Sequence, residues 1–312
     1  MVLDPQFRAV LEAMASSDAT ALSAGTADDA RRNYRALAMS RRRGDYRPET
    51  VAQVSDDRID GPLGAVPVRL YRPDAVGDLP VVTYAHGGGW VLGDLETHDP
   101  VCRRMANQVG AIVVAVDYRL APEHPHPAPL DDVMAALRWT AATFPGRPHG
   151  VAGDSAGASL VAGAALRAAH GPEGVDLVAQ LLAYPAVDPA MGFPSIAANG
   201  EGFFLTAADI AWFWHQYLPT PEAAADLDVA VVHAPVPDGL APAVVVTAEY
   251  DPLHDEGVAY AAHLSDAGVA VEHVEGFGLI HGFLAFLGVV DAAEVCGSTA
   301  MAAFARLLRE GH

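Results

Sequence analysis

Lysine is absent from this chain of 312 residues: all 19 basic side chains are arginines, against 39 acidic ones, for a formal charge of −20 at neutral pH. A surplus of that sign repels polyanions, which excludes nucleic acids and anionic membrane surfaces as partners. The basic run Arg41-Arg42-Arg43 is too short to reverse the balance and reads as the solvated end of an N-terminal helix. The missing lysine itself reads as the codon bias of a GC-rich bacterium rather than a functional choice. Cysteine is nearly absent as well. Cys102 and Cys296 stand far apart, each in a segment that reads as helix, so two buried free thiols are expected rather than a bridge or a metal site. Long apolar runs are also missing: none reaches the roughly 18 residues of a membrane span. The start Met1-Val2-Leu3-Asp4-Pro5 carries neither a basic stretch nor a signal-like apolar core. No stable membrane insertion and a cytoplasmic location are therefore expected.

What the chain does have is apolar content, 51% of its residues, enough for a sizeable core. Short apolar runs recur as strands at Val81–Ala85, Ile112–Asp117, His149–Gly153, Leu177–Tyr184, Ala243–Ala248 and Ala270–Val274, with helical patterns between them. Runs apolar on both faces and separated by helices imply a mainly parallel central sheet covered on both sides, an α/β fold. The alternating segment from about Val51 to Tyr71 predicts an antiparallel entry to that sheet. Residues 1–45 show helical spacing broken by Ser-, Asp- and Gly-rich stretches, which predicts two cap helices. Residues 188–228 interrupt the strand–helix rhythm with an aromatic-rich insertion, including Thr206-Ala207-Ala208-Asp209, a capping-box start, and Ile210–Leu218. The expected organisation is a core of residues 46–187 and 229–312, with a helical cap from 1–45 and 188–228.

The chemistry centres on Val151-Ala152-Gly153-Asp154-Ser155-Ala156-Gly157, a buried strand leading into Gly-x-Ser-x-Gly and then a helix. So sharp a turn needs small neighbours, and it lifts the serine hydroxyl above the sheet to meet a base. The five-residue pattern alone is common in a chain rich in small residues; its surroundings give it meaning. Upstream, His86-Gly87-Gly88-Gly89-Trp90 closes an apolar strand. Successive glycines there let backbone N–H groups converge, so Gly88, Gly89 and Ala156 are candidate oxyanion donors. Downstream, Glu249-Tyr250-Asp251-Pro252 closes one strand, and Leu279-Ile280-His281-Gly282-Phe283 follows another. Carboxylate and imidazole thus lie past strand ends, where open α/β sheets place ligands. The order Ser155, Asp251, His281 is that of α/β-hydrolases.

With Asp117-Tyr118-Arg119-Leu120-Ala121-Pro122-Glu123-His124-Pro125 and Tyr250-Asp251-Pro252-Leu253-His254-Asp255-Glu256, the chain resembles the hormone-sensitive-lipase-like bacterial carboxylesterases with an HGGG loop. The resemblance runs from about Val66 to the C-terminus. It implies Ser155 as nucleophile, His281 as general base then acid, Asp251 as the orienting carboxylate, and Gly88, Gly89 and Ala156 as oxyanion donors. It implies no cofactor, and a small-molecule ester of short to medium acyl chain as substrate. Two positions depart from the family: Ala158 where a glycine is common, and Gly276 near a usual aromatic, which is expected to widen the pocket beside His281. As in relatives, the strand Val269–Val274 could be a sheet edge that pairs with a second copy, a possible homodimer.

Other polar groups read as structural. Asp154 reads as a buried carboxylate beneath the elbow, Asp131 and Asp132 as the acidic start of a helix, and His98, Asp99 and Arg103-Arg104 as members of the helix after the glycine loop. His124 and His126 have a metal-like spacing but no third ligand nearby. Asp255 lies a helical turn beyond Asp251 and is the weaker partner for His281. Two other functions stay open: hydrolysis of amides, lactones or carbamates by the same triad, and a receptor without catalysis, like the plant hormone receptors that share this fold but have lost the histidine.

Overall fold

The strands β3 (Val81–Ala85), β4 (Ile112–Val116) and β5 (His149–Asp154) are buried at every residue, as are most of β6 (Leu177–Ala183) and β7 (Ala243–Tyr250). Side chains that alternate across a strand and are apolar on both sides need cover on both faces. In this computed structural model, which describes residues 2–16, 22–23, 25–42, 46–170 and 175–311, they have it. Val81, Ala85, Val245 and Val151 join one core, and Val82, Tyr84, Val244 and Ala152 the other. Helices α4 (Ala128–Thr143), α5 (Ala156–His170) and α8 (His254–Asp266) cover the first core; α3 (Asp99–Met105) and α9 (Asp291–Glu310) cover the second.

A hairpin of β1 (Gln53–Gly61) and β2 (Gly64–Arg72) enters the sheet, and β2 lies antiparallel to β4. With β8 (Val271–Ile280) last, the strand order is β1-β2-β4-β3-β5-β6-β7-β8, parallel from β4 onward. From β3 the chain moves outward to β4; from β5 it moves the other way to β6. The order therefore reverses between β3 and β5, and a sheet of this kind opens a crevice beyond the C-terminal ends of the strands at such a point. The glycine loop follows β3 and Ser155 follows β5, so both candidate motifs arrive there. Helices α2 (Ala27–Ser40) and α7 (Ala207–Tyr217) border the cavity there, while α1 (Pro5–Ala15) packs Phe7 on Phe286 and α6 (Pro194–Ala198) is tied by Ser195 to the Pro252 carbonyl. Thr206 and Asp209 start α7 with a capping box, each side chain satisfying an otherwise free N–H. Among the described residues no helix is long and apolar enough to cross a membrane.

Several expectations shift. Strand β8 spans Val271–Ile280 rather than ending near Val274, with an irregular register opposite Ala248–Tyr250. Gly278, at φ 71°, lets the strand bulge without a Cβ clash and rejoin β7 at Ile280. A Cβ on Gly276 would meet the Thr247 carbonyl oxygen at 2.8 Å, so this glycine serves close strand packing and does not widen the pocket. Asp131 does sit in the first turn of α4 and pairs with Arg167. Asp132, in contrast, is fully buried and takes Arg119 in a fork, from Nε at 2.8 Å and from the terminal nitrogen at 2.7 Å. The basic run is not a solvated helix end either. Arg42 reaches the Glu96 carbonyl, and the Arg41 guanidinium lies 4.0 Å from the centre of the Phe286 ring; Arg43 lies outside the described residues.

At the first residue of α8, His254 bridges Glu275 of β8 (3.1 Å) and Asp255 (2.8 Å). The bond to Glu275, against the opposing effect of burial and aided by Asp255, raises its pKa to about 9. Because the folded value exceeds the unfolded one, near 6.5, the pair's contribution is fully present below that pH and is lost as pH rises through 9. His254→Gln should therefore cost about 1 kcal/mol near pH 6 and nearly nothing at pH 10. A thermal-melting gap that stays constant from pH 6 to 10 would contradict this.

Candidate active site

Strand β5 ends at Asp154 and α5 begins at Ala156, leaving Ser155 alone in the turn with φ 53°. A left-handed conformation at a residue with a Cβ costs on the order of 1–3 kcal/mol and persists only where its surroundings enforce it. They do so here. The Ser155 N–H donates to the Ala183 carbonyl at 2.9 Å. Gly153 leaves no room for a Cβ against the Gly157 backbone, and Gly157 none against the Ala85 carbonyl. The hydroxyl is thereby aimed at His281 Nε2, 2.9 Å away. Nδ1 of the same ring faces Asp251 Oδ2 at 2.7 Å, so the proton on that side is shared with a carboxylate. Asp251 is fully buried, and its other oxygen accepts the Leu253 N–H at 2.8 Å. Tyr184 packs edge-on against the imidazole, with ring centres 4.8 Å apart, and limits its rotation. A serine hydroxyl on an imidazole that a buried carboxylate orients is the arrangement that makes serine nucleophilic. Asp255 is engaged elsewhere, with the Ser195 N–H and His254.

The glycine loop turns back over this hydroxyl through two positive φ values, 124° at Gly88 and 59° at Gly89. A Cβ on Gly88 would overlap the Leu92 carbonyl, and one on Gly89 the Phe213 ring. Gly88, Gly89 and Ala156 all border the cavity at Ser155, and Ala156 opens α5, where the first N–H groups lack helical acceptors. Beneath the loop, Asp154 accepts the Gly87 N–H at 2.9 Å and the Tyr84 hydroxyl at 2.5 Å, with His98 Nε2 at 3.6 Å. Burial pushes the Asp154 carboxyl up, but His98, Tyr84 and the Gly87 N–H together hold it below the ordinary range. It is the structural anchor expected at this position, and it ties the elbow to the glycine loop. Sequence reasoning missed the rest of the layer. His86 stacks on Tyr118 with centres 4.3 Å apart, and burial, then His98, lowers its pKa to about 4, so it stays neutral. The Tyr118 hydroxyl donates to the His86 carbonyl at 2.7 Å.

Above the loop, Trp90 stacks on Tyr217 of α7, centres 4.4 Å apart, and lies against Trp214. The cavity holds about 920 Å³ of empty space, counting its mouth. One wall is apolar, from Phe204, Leu205, Ile210, Phe213 and Trp214. Tyr34, Ala38 and Arg41, spaced i, i+4, i+7, also line it, a helix-face signal that the sequence carried and the reading of a solvated end passed over. His126 is bound to Asp226 (3.0 Å) and faces the Tyr217 hydroxyl (3.3 Å), which ties α7 and the segment after it to the loop before α4. Among the described residues no group of three or more His, Cys, Asp or Glu side chains is arranged to hold a metal ion.

Known proteins share this arrangement of elements. A family model described as the alpha/beta hydrolase fold matches residues 82–285. The carboxylesterase NlhH of Mycobacterium tuberculosis is 44% identical over 263 residues, 79% of this chain and 80% of that protein. The ethyl acetate hydrolase of Pseudomonas putida is 35% identical over 309 residues, 94% of this chain and 96% of that protein. A solved structure of a hyperthermophilic esterase from the archaeon Pyrobaculum calidifontis matches with a TM-score of 0.91 at 36% identity, covering 98% of this chain and 99% of that one.

Proposed function

Because the chain belongs to the α/β-hydrolase family, in its hormone-sensitive-lipase-like branch, we propose that it is a serine carboxylesterase for esters of short to medium acyl chain. The observation that carries this reading is the unbroken hydrogen-bonded series Ser155–His281–Asp251 at the floor of an apolar cavity. Ser155 Oγ attacks the ester carbonyl as His281 Nε2 takes its proton, and Asp251 stabilises the imidazolium. The oxyanion of the tetrahedral intermediate is received by the N–H groups of Gly88, Gly89 and Ala156. Collapse expels the alcohol, to which His281 returns the proton. Water then repeats the attack on the acyl-enzyme and frees the acid and Ser155.

Residues 1–45 and 188–228 serve as the cap in this reading, and the rest as the hydrolase core. Two unpaired buried thiols, Cys102 and Cys296, support a reducing cytoplasmic setting. Strand β8 is an edge of the sheet, which supports pairing with a second copy; a single-chain mass in light scattering at micromolar concentration would remove that part.

Acyl length tests the pocket. Each methylene that stays inside adds about 0.8 kcal/mol, or roughly fourfold in kcat/KM. With p-nitrophenyl esters, kcat/KM should climb from acetate to butyrate or hexanoate and then fall at least about tenfold by dodecanoate, once the chain outgrows the cavity. A flat series, or one still rising at dodecanoate, would refute a short-chain pocket.

A further inference from the structure

Arg41 is a cation in the wall of the substrate cavity that no carboxylate of the described residues answers. Several part-buried arginines are paired instead: Arg31 with Glu123, Arg69 with Asp56 and Glu96, Arg103 with Asp99, Arg119 with Asp132, Arg167 with Asp131 and Asp228. What sets Arg41 apart is that it stands among the lining of the cavity that holds Ser155 and His281. Its place is not that of a cation left to solvent. It caps α2 and turns its guanidinium over the Phe286 ring, 4.0 Å from the centre, where burial lowers its pKa. Complementing the helix dipole would need no such turn into the cavity. Stacking on a ring face leaves the guanidinium edge, with its planar fork of N–H donors, available to an acceptor. Tyr34, two turns earlier on the same face, lines the cavity too. The nearby acids are engaged, Asp94 with Arg35, and Asp154 with Tyr84 and His98.

We propose that Arg41, with Tyr34 beside it, forms a carboxylate-binding end to the substrate cavity, and that the preferred substrates are esters that also carry a free carboxylate, such as half-esters of dicarboxylic acids. The proposal rests on the esterase reading of the site and names its substrate class. A planar carboxylate matches the fork in two parallel bonds, which a neutral alkyl end cannot form. The apolar wall between Ser155 and Arg41 suits the methylene spacer. The protein's net negative field opposes such a substrate at long range, so its recognition depends on this local cation.

The test is calorimetric titration of the Ser155→Ala protein, which binds without turnover, with monoethyl half-esters from succinate to suberate and with the neutral ethyl esters of equal length. At the spacer length that reaches Arg41, the half-ester should bind roughly tenfold or more tighter than its neutral match. That preference should vanish when Arg41→Met is added, and equally with Arg41→Gln should the first variant fail to fold. No preference at any length, or a preference that survives both substitutions, would overturn the proposal. So would equal weakening of both ligands, the mark of a merely structural arginine. Hydrolysis of p-nitrophenyl butyrate by the unmodified protein reports separately on the esterase reading. It persists if only the carboxylate site is wrong; if it is missing while the half-ester preference holds, the ester chemistry is at fault and the subsite stands.

Discussion

Ser155→Ala should lower kcat for p-nitrophenyl butyrate by on the order of a millionfold, while the protein melts within a few degrees of the original. The loss is so large because the removed oxygen forms the acyl bond; His281 and Asp251 then have no proton to move. The fold should survive because alanine keeps the Cβ that φ 53° already tolerates, and because the restraints on the turn come from backbone, the Ser155 N–H on Ala183 and the tight fit of Gly153 and Gly157. A residual rate of about a thousandfold over water is expected from binding and the oxyanion donors alone. Progress curves with enzyme at high concentration measure it. Retention of even one per cent of kcat would mean that another group attacks the ester, and the assignment of Ser155 would fall.

The elements around Ser155 were legible because local pattern and final environment agree. Strand β3 is apolar at nearly every position and becomes buried on both faces; the Gly-x-Ser-x-Gly turn has glycine at the two positions where a Cβ would meet neighbouring backbone. Reading failed where the environment is supplied from far along the chain. Gly276 and Gly278 look like the end of a strand, yet ladder pairing with β7 carries β8 on to Ile280. Asp132 looks like a helix-dipole residue until Arg119, 13 positions earlier, closes on it. Arg41 stands in a basic triplet, which local pattern assigns to solvent; the ring that desolvates it comes from Phe286, on the far side of the sequence. The layer beneath the glycine loop joins Tyr84, His86, His98, Tyr118 and Asp154 from several elements, and nothing in the spacing of those residues announces it.

Asp251→Asn tests the orienting role with a substitution that changes almost no volume. Asp251 has two partners: Oδ1 accepts the Leu253 N–H at 2.8 Å, and Oδ2 faces His281 Nδ1 at 2.7 Å. An asparagine has one oxygen to offer. Because the Leu253 N–H can only donate, it claims that oxygen and turns the amide NH₂ toward His281. The imidazole must then accept at Nδ1 and carry its proton on Nε2, the nitrogen that has to receive the Ser155 proton. The wrong tautomer is installed with the geometry intact, and kcat should fall by about 10⁴. Asp251 does not line the cavity, so KM for p-nitrophenyl butyrate should stay within a few-fold of the original. Asp255→Asn is the control, since that carboxylate serves the Ser195 N–H and His254 rather than the site. If Asp251→Asn cost less than tenfold in kcat while Asp255→Asn cost thousands, the carboxylate assignment would have to move four residues along the chain. Otherwise, the separation of a collapsed kcat from a steady KM identifies Asp251 as the group that holds His281 in its working tautomer.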